Sequence, residues 1–275
     1  MNALFLDLEL ARRIEMAECH AAVDTVQALE RVRPESGAAA ESIAGGFAIY
    51  AGANSPLTQA VGIGLNGTVS DEDFNRLEAF YRSRNEPVRV ETCPLAEGSL
   101  FEHFGKSGYR VTEFTNVMAR PFKNRDARET WPARARGVTI ERAGSEQIDL
   151  WTLTVSQGFS ENAAVPQELL DVMKMFAEGP RAECYLARVD GKVAGGGTLA
   201  LSDGVAGLFG ASTLIDFRKR GVQTGLLHAR LARAAEAGCD LAVCLARPGS
   251  TSQRNIVRSG FQVLYTRVKF ERAFS

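Results

Sequence analysis

The stretch Arg218-Lys219-Arg220-Gly221-Val222-Gln223-Thr224-Gly225-Leu226-Leu227 sets the narrowest limit on what this chain can fold into. An apolar, strand-like run from Val205 to Ile215 precedes it, and a helix-like run from Leu226 to Ala237 follows. A strand that turns on a basic, glycine-bearing corner into a helix aims backbone N–H groups and the positive end of a helix dipole at one point. The arginines add full charge beside them. Gly221 lets the backbone approach an anion where a Cβ would intrude. The combination predicts a phosphate cradle; the plain alternative is a tight turn with solvated arginines. Two familiar phosphate motifs are excluded. No Gly-x-x-x-x-Gly-Lys-Ser/Thr occurs, which removes a P-loop. Gly195-Gly196-Gly197 sits inside a β-rich run without a strand-to-helix context or a suitably spaced acidic residue, so it fails the dinucleotide fingerprint.

The elements around the cradle follow from periodicity and turn chemistry. Val138-Thr139-Ile140 opens a strand, and Ser145 is the expected cap of a helix over Glu146 to Gln157. Phe159 to Val165 reads as a loop, and Pro166 begins a second helix reaching Glu178. Cys184 to Val189, Lys192 to Leu201 and Val205 to Ile215 form an antiparallel meander, with Asp190-Gly191 a strong hairpin turn. Leu241 to Leu245 is expected to lie parallel to the strand before it, since a helix joins the two. A helix over Gln253 to Ser259 and a strand from Phe261 to Phe270 close the sheet.

The first half spells a similar order. A helix over residues 4–33 points Leu4, Leu8, Ala11, Ile14, Ala21, Val26 and Leu29 inward, and Pro34 to Glu41 reads as a loop. Strands follow at Phe47 to Tyr50 and Thr58 to Leu65. Ser70 then caps a helix to about Asn85, with Asp73 completing a capping-box variant. A strand at Val88 to Glu91, a helix at Leu100 to Lys106 and a strand at Tyr109 to Met118 complete it. Ser107-Gly108-Tyr109-Arg110-Val111 corresponds to Ser259-Gly260-Phe261-Gln262-Val263, a spacing of 152 residues (260 − 108), which brings Asn66-Gly67 near Arg220-Gly221. We read a degenerate duplication, the alternative being an unrelated α/β domain. Asp71, Glu72 and Asp73, without an arginine, would repel a pyrophosphate in the first half. Residues 123–136 are expected to be a solvated linker. Their basic run (Lys123, Arg125, Arg128, Arg134, Arg136) is broken by Asp126 and Glu129, against an RNA-binding surface.

Arg218-x-x-Gly221-x-Gln223 resembles the Arg/Gln-x-x-Gly-x-Gly/Ala signature of the GCN5-related N-acetyltransferases (GNAT), and Ser259-Gly260-Phe261 resembles the Gly-Phe pair before that family's last strand. The resemblance covers about residues 137–272 and departs at Gln223, which can still offer its backbone N–H. It implies an α/β fold with a mixed, mostly antiparallel sheet flanked by helices, duplicated in two halves. The domains would be a degenerate copy at 1–122, the linker, and an acetyl-CoA-binding domain at 137–275. It further implies an acetyltransferase that moves the acetyl group of acetyl-CoA directly to a primary amine of a small molecule or peptide. The cofactor-binding positions would be Thr213, Leu214, Arg218, Arg220, Gly221, Val222, Gln223, Thr224, Gly225 and Asn255. The first two would act through main-chain groups, one of which polarises the thioester oxygen.

The family's usual acid, a tyrosine four residues before the closing glycine, falls on Ile256. Ser252, Tyr265 and Glu161 remain as weak catalytic candidates, each with a structural alternative, and Asn255 is the best of the cleft helix for a CoA contact. Asp216 is a second candidate base or a cap. His228 reads as structural, and Trp151 and Phe159 as either acceptor-pocket lining or core. The rival functions are a non-catalytic acyl-CoA sensor or interaction module, motivated by Ile256 and Gln223, and a binder of another phosphorylated ligand.

Composition bounds the rest. The 275 residues, 45% hydrophobic, suffice for one large or two ordinary domains. A net charge of −1 offers no basic field for nucleic acid. Five scattered cysteines without C-x-x-C spacing argue against zinc or a disulfide framework and for a reducing cytoplasm. The acidic N-terminus is unlike a signal peptide, and no apolar run of about 18 residues predicts a membrane span. Partners are therefore expected to be the amine acceptor, with no nucleic acid, no membrane, and a homodimer left open.

Overall fold

The computed structural model describes residues 4–122, 137–161 and 164–274. The expected linker at 123–136 and part of the loop after Phe159 lie outside them. In chain order the elements are α1 (Leu8–Val32), β1 (Ala39–Ile43), β2 (Gly46–Tyr50), β3 (Ala60–Val61), α2 (Asp71–Arg82), β4 (Val88–Thr92), α3 (Gly98–Lys106) and β5 (Arg110–Pro121). Then come β6 (Val138–Arg142), α4 (Ile148–Ser160), α5 (Gln167–Glu178), β7 (Ala182–Val189), β8 (Lys192–Ser202), β9 (Val205–Thr213), α6 (Val222–Glu236), β10 (Leu241–Ala246), α7 (Thr251–Arg258) and β11 (Gln262–Arg272). The result is a mixed, mostly antiparallel sheet flanked by helices, as the resemblance implies. The chain forms two compact units.

The first unit gathers the described residues of Met1–Met118, Leu245–Val257 and Gln262–Ser275, with strand order β1-β2-β3-β4-β11-β5. Asp7 caps α1 by accepting from Leu10 N at 2.8 Å. Of the expected inward residues, Ala11, Ile14, Val26 and Leu29 are buried, whereas Leu8 faces solvent in the first turn. Two strands depart from the sequence expectation. Residues 39–43, read partly as loop, form β1, because Ala44 and Gly45 take positive φ (45° and 81°) and fold it back on β2. The run Thr58 to Leu65 shrinks to β3, because Gly62 and Gly64 at φ 70° and 78° leave the extended region. β3 and β4 pair in parallel across α2, and β4 pairs antiparallel with β11, Val90 opposite Phe270.

The core of this unit is Phe74, Leu77, Phe80 and Tyr81 of α2 against Val88, Val90, Leu100 and Phe104. Between α1 and β11 lies a fully buried ion pair. Arg267 donates from Nε to Glu15 Oε1 at 2.8 Å, and Tyr265 donates its hydroxyl to the same oxygen at 2.7 Å. The compact units thus divide the chain differently from the expected boundaries. β11, which the sequence placed in a domain over 137–275, packs with residues 1–118, because its partner β4 and the acceptor Glu15 are there.

The second unit gathers the described residues of Ala119–Cys244 and Arg258–Phe261, with strand order β10-β9-β8-β7-β6. Both hairpin turns carry two consecutive positive φ values, Asp190-Gly191 (50°, 79°) and Asp203-Gly204 (47°, 78°), the conformation that matches strand twist. Ser145 does not cap the first helix. Ser145–Gln147 forms a 3-10 turn instead, in which Gln147 Oε1 accepts from Gly144 N at 3.0 Å, and α4 starts behind it.

Candidate functional site: a strand corner at the start of α6

The corner is shaped by what β9 does before it. β9 and β10 pair in parallel, as expected, from Val205 opposite Leu241 to Leu208 opposite Cys244. Beyond that point the register of β9 continues only toward β8. There it is irregular: Thr198 stands opposite Phe209, but Gly196 stands opposite Ser212, so β9 carries an extra residue and Gly210 takes φ 54°. The three glycines of β8 are the places where two helices press on this bulge. A Cβ on Gly196 would sit 2.8 Å from the Val155 side chain and 2.9 Å from Trp151 Nε1, both on α4. A Cβ on Gly197 would sit 2.9 Å from the Arg230 guanidinium on α6, and one on Gly195 would meet Ser212 O at 2.5 Å. The run that failed as a dinucleotide motif is a packing requirement.

After β9 the chain turns through Leu214, whose N–H donates to Ala194 O at 2.9 Å, and a 3-10 turn at Ile215–Phe217. Lys219 at φ 63° and Gly221 at φ 83° then swing it into α6. Gly221 is the N-cap and makes no side-chain capping bond; Gly225 N to Gly221 O, 2.9 Å, is the first helical bond. No acidic residue occupies the first turn of α6. The start of α2 is the opposite case. Ser70 Oγ accepts from Asp73 N at 3.1 Å, Asp73 Oδ2 accepts in return from Ser70 N, and three carboxylates crowd the first turn. One helix start is sealed and negative, the other uncapped and neutral.

Two arginines flank the corner. Arg218 Nη2 reaches Glu161 Oε1 at 2.8 Å, and Arg220 Nη2 reaches Asp190 Oδ2 at 2.6 Å. All four side chains are 43% to 65% exposed, so each pair contributes at most about 1 kcal/mol and exchanges readily for another anion. Within the first turn, Val222 is buried and Gly225 packs against Ile140 of β6, where a Cβ would lie 3.3 Å from its Cδ1. Gln223 and Thr224 complete the turn, Thr224 exposed.

The remaining candidates scatter. Ser252 and Asn255 lie on α7, which groups with the first unit, as does Tyr265 on β11. The Tyr265 hydroxyl is bonded to Glu15 in the core, and burial pushes its pKa well up, which favours its structural alternative. Ile256 is buried. Glu161 terminates α4 at φ 48° and is brought to the corner by Arg218. Asp216 is exposed in the 3-10 turn and gives α6 no cap. His228 is half-buried on α6, its pKa lowered by desolvation and then by Arg120. Trp151 is fully buried in the core beneath β8, while Phe159 is exposed. Among the described residues no cluster of side chains is arranged to hold a metal, and no helix is long and apolar enough to cross a membrane.

One residue of this region escaped the sequence reading. Arg230 is 3% exposed, donating from Nε to Leu226 O at 3.0 Å and from Nη1 to Thr198 O at 2.8 Å and Phe209 O at 3.3 Å. Burial lowers its pKa to about 10. The available signal was its position, four residues from Leu226 and from Ala234 on the apolar face of α6.

The corner lies inside a segment, residues 149–261, that matches the family model of the acetyltransferase (GNAT) family. These residues are a GNAT domain. No curated protein matches the sequence. Among solved structures, the chain is similar to a GCN5-related N-acetyltransferase from Kribbella flavida over 99% of its own length and 98% of the other, with a TM-score of 0.68 and 16% identity. It is similar to a tandem GNAT protein from the clavulanic acid biosynthesis pathway over 82% of this chain and 78% of that one (TM-score 0.59, 13% identity). A GCN5-related N-acetyltransferase from Sphaerobacter thermophilus overlaps 68% of this chain and 59% of its own length (TM-score 0.53, 16% identity). These likenesses concern the fold. The GNAT family itself binds acyl-CoA and transfers the acyl group.

Proposed function

We propose that the second unit binds acetyl-CoA at the corner from Thr213 to Gly225 and transfers its acetyl group directly to a primary amine. The observation that carries this reading is the start of α6: uncapped at Gly221, free of acidic residues, and flanked by arginines held only in exposed ion pairs. A pyrophosphate fits such a terminus, since α6 is long enough to have a dipole and its N-cap, Gly221, has no side chain to cap it. Arg218 and Arg220 would contribute charge-assisted bonds to it. The edge of β9 beyond Leu208, left by β10, offers main-chain groups where a pantetheine arm can lie. Acetyl-CoA supplies an activated thioester, and an N–H near Thr213 or Leu214 would stabilise charge on its oxygen. Asn255 is retained as a candidate CoA contact, and Glu161 and Ser252 as catalytic candidates, whereas Tyr265 is taken up by its bond to Glu15.

We further propose that the first half is a degenerate copy. Both halves join a parallel strand pair through a helix, β3 to β4 through α2 and β9 to β10 through α6. Both then continue helix, strand, with Arg110 and Gln262 opening the last strands at the 152-residue spacing already found for Gly108 and Gly260. Those two glycines take similar φ values, 73° and 87°. The sealed start of α2 fits a copy that does not bind CoA. A second functional reading, an acyl-CoA sensor without turnover, is favoured by one observation: buried Ile256 stands where the family commonly has its acid.

Thermal unfolding with and without millimolar acetyl-CoA, with ATP and NAD as controls, tests the donor site. Ligand at about 100 times its dissociation constant adds roughly 2.7 kcal/mol and raises the midpoint. A rise with acetyl-CoA alone is expected, and no rise would remove the assignment. A panel of small-molecule and peptide amines then separates transferase from sensor.

A further inference from the structure

We infer that Arg230 is a positioning residue for acyl transfer, holding the β9 bulge so that the main-chain groups after it face the thioester. This rests on the donor site proposed above. Its Nη1 group donates to Thr198 O and Phe209 O, the carbonyls of the last residue pair in register before the bulge. The Phe209 carbonyl belongs to the same peptide unit as the Gly210 N–H. A guanidinium bonded to that oxygen therefore fixes the plane of the unit that starts the bulge and polarises its N–H. Nε is tied to Leu226 O one turn back, so α6, the helix that begins at the cradle, sets where the bulge lies.

A packing role alone does not account for this residue. No carboxylate pairs with Arg230 among the described residues, and the titratable groups that act on its charge are Cys244, Tyr185 and Cys184. Burying an unpaired cation costs several kcal/mol, and an apolar side chain of similar length would fill the same volume without that cost. β8 makes room for it with Gly197, whose Cβ would intrude at 2.9 Å. Two residues are thus given over to placing one positive charge behind the strand that offers its far edge to the donor. A fixed positive charge there stabilises negative charge developing on an acyl oxygen without any rearrangement during the reaction.

The test uses the full chain with acetyl-CoA labelled by 13C at the thioester carbonyl. In the wild type, binding should move the carbonyl resonance downfield as main-chain donors polarise it. In Arg230→Met, acetyl-CoA should still raise the unfolding midpoint, but at least half of that resonance shift should be lost. With any amine the wild type acetylates, kcat should fall by about tenfold to a hundredfold while the acetyl-CoA KM stays within about threefold. Arg230→Lys, which keeps the charge but not the fork, should recover part of the signal. If Arg230→Met does not fold, Gly197→Ala, which displaces the guanidinium, takes its place with the same expected loss. A variant that binds with the wild-type resonance and kcat overturns the role of Arg230 and leaves the donor site standing. Failure of the wild type to bind acetyl-CoA overturns both.

Discussion

Arg218 and Arg220 are the residues on which the proposed donor site depends most directly, and both carry a carboxylate at hydrogen-bond distance. Exchanging an exposed carboxylate for a phosphate loses little, so the double variant Arg218→Ala, Arg220→Ala should weaken acetyl-CoA binding by about 1–3 kcal/mol per arginine. Calorimetric titration reads this directly, and an unchanged affinity would sink the cradle. The basic corner that carries them was legible because charge, glycine and helix start are adjacent in the chain. Arg230 and Arg267 were not. Each looks like a solvated charge in its own segment, and each is buried by partners far off, Thr198 for one and Glu15 for the other. A side chain whose role is set by a distant carbonyl or carboxylate leaves no mark in its neighbours, save the apolar face on which Arg230 falls.

At the scale of elements, α2 and α6, which correspond in the proposed duplication, have opposite starts. Ser70 and Asp73 announced the sealed one, because a capping box is a three-residue signal. The uncapped one yields a prediction of opposed signs. Thr224→Glu puts a carboxylate in the exposed first turn of α6. That should stabilise the helix by about 0.3–1 kcal/mol through the dipole while weakening acetyl-CoA binding. Melting curves with and without acetyl-CoA check both halves, and a variant that binds as tightly as wild type would count against phosphate contact there. The same helix carries a pH dependence. His228 titrates in the fold below its ordinary value of 6.5, chiefly through desolvation. Above pH 6.5 both folded and unfolded chains leave it neutral. As pH falls from 6.5 to its folded value, the unfolded chain takes up a proton that the fold refuses, so stability declines over that window. His228→Gln should flatten this part of a midpoint-against-pH curve, and an unaltered curve would show the group to be uninvolved. The strands were read less well than the helices. β1 is short and built of small, polar residues, and β3 was overestimated because Gly62 and Gly64 sit inside an apolar run that otherwise spells a strand.

On the scale of the molecule, the order of elements and the GNAT character of the second half were legible, because the cradle and the closing glycine bracket them. The grouping of β11 was not: alternation shows that Phe261 to Phe270 is a strand but not which strand it joins. Its pairing with β4 and the Glu15–Arg267 contact decide that, across 252 residues of chain. A chain truncated after Gly260 should therefore fail chiefly in its first unit, where Glu15 would be left buried without Arg267 and Tyr265. Limited proteolysis should cut within residues 8–118 before it cuts within 182–244. Equal resistance of the two regions would contradict the assignment of β11. The pairing also has a consequence on the ribosome. A unit assembled mostly from residues 8–118 waits for a strand translated more than 140 residues later, on the order of ten seconds at ordinary elongation rates. During that interval β4 exposes an open edge and Glu15 lacks its cation. The nascent first half is thus a natural client for a holding chaperone until residues 262–272 emerge.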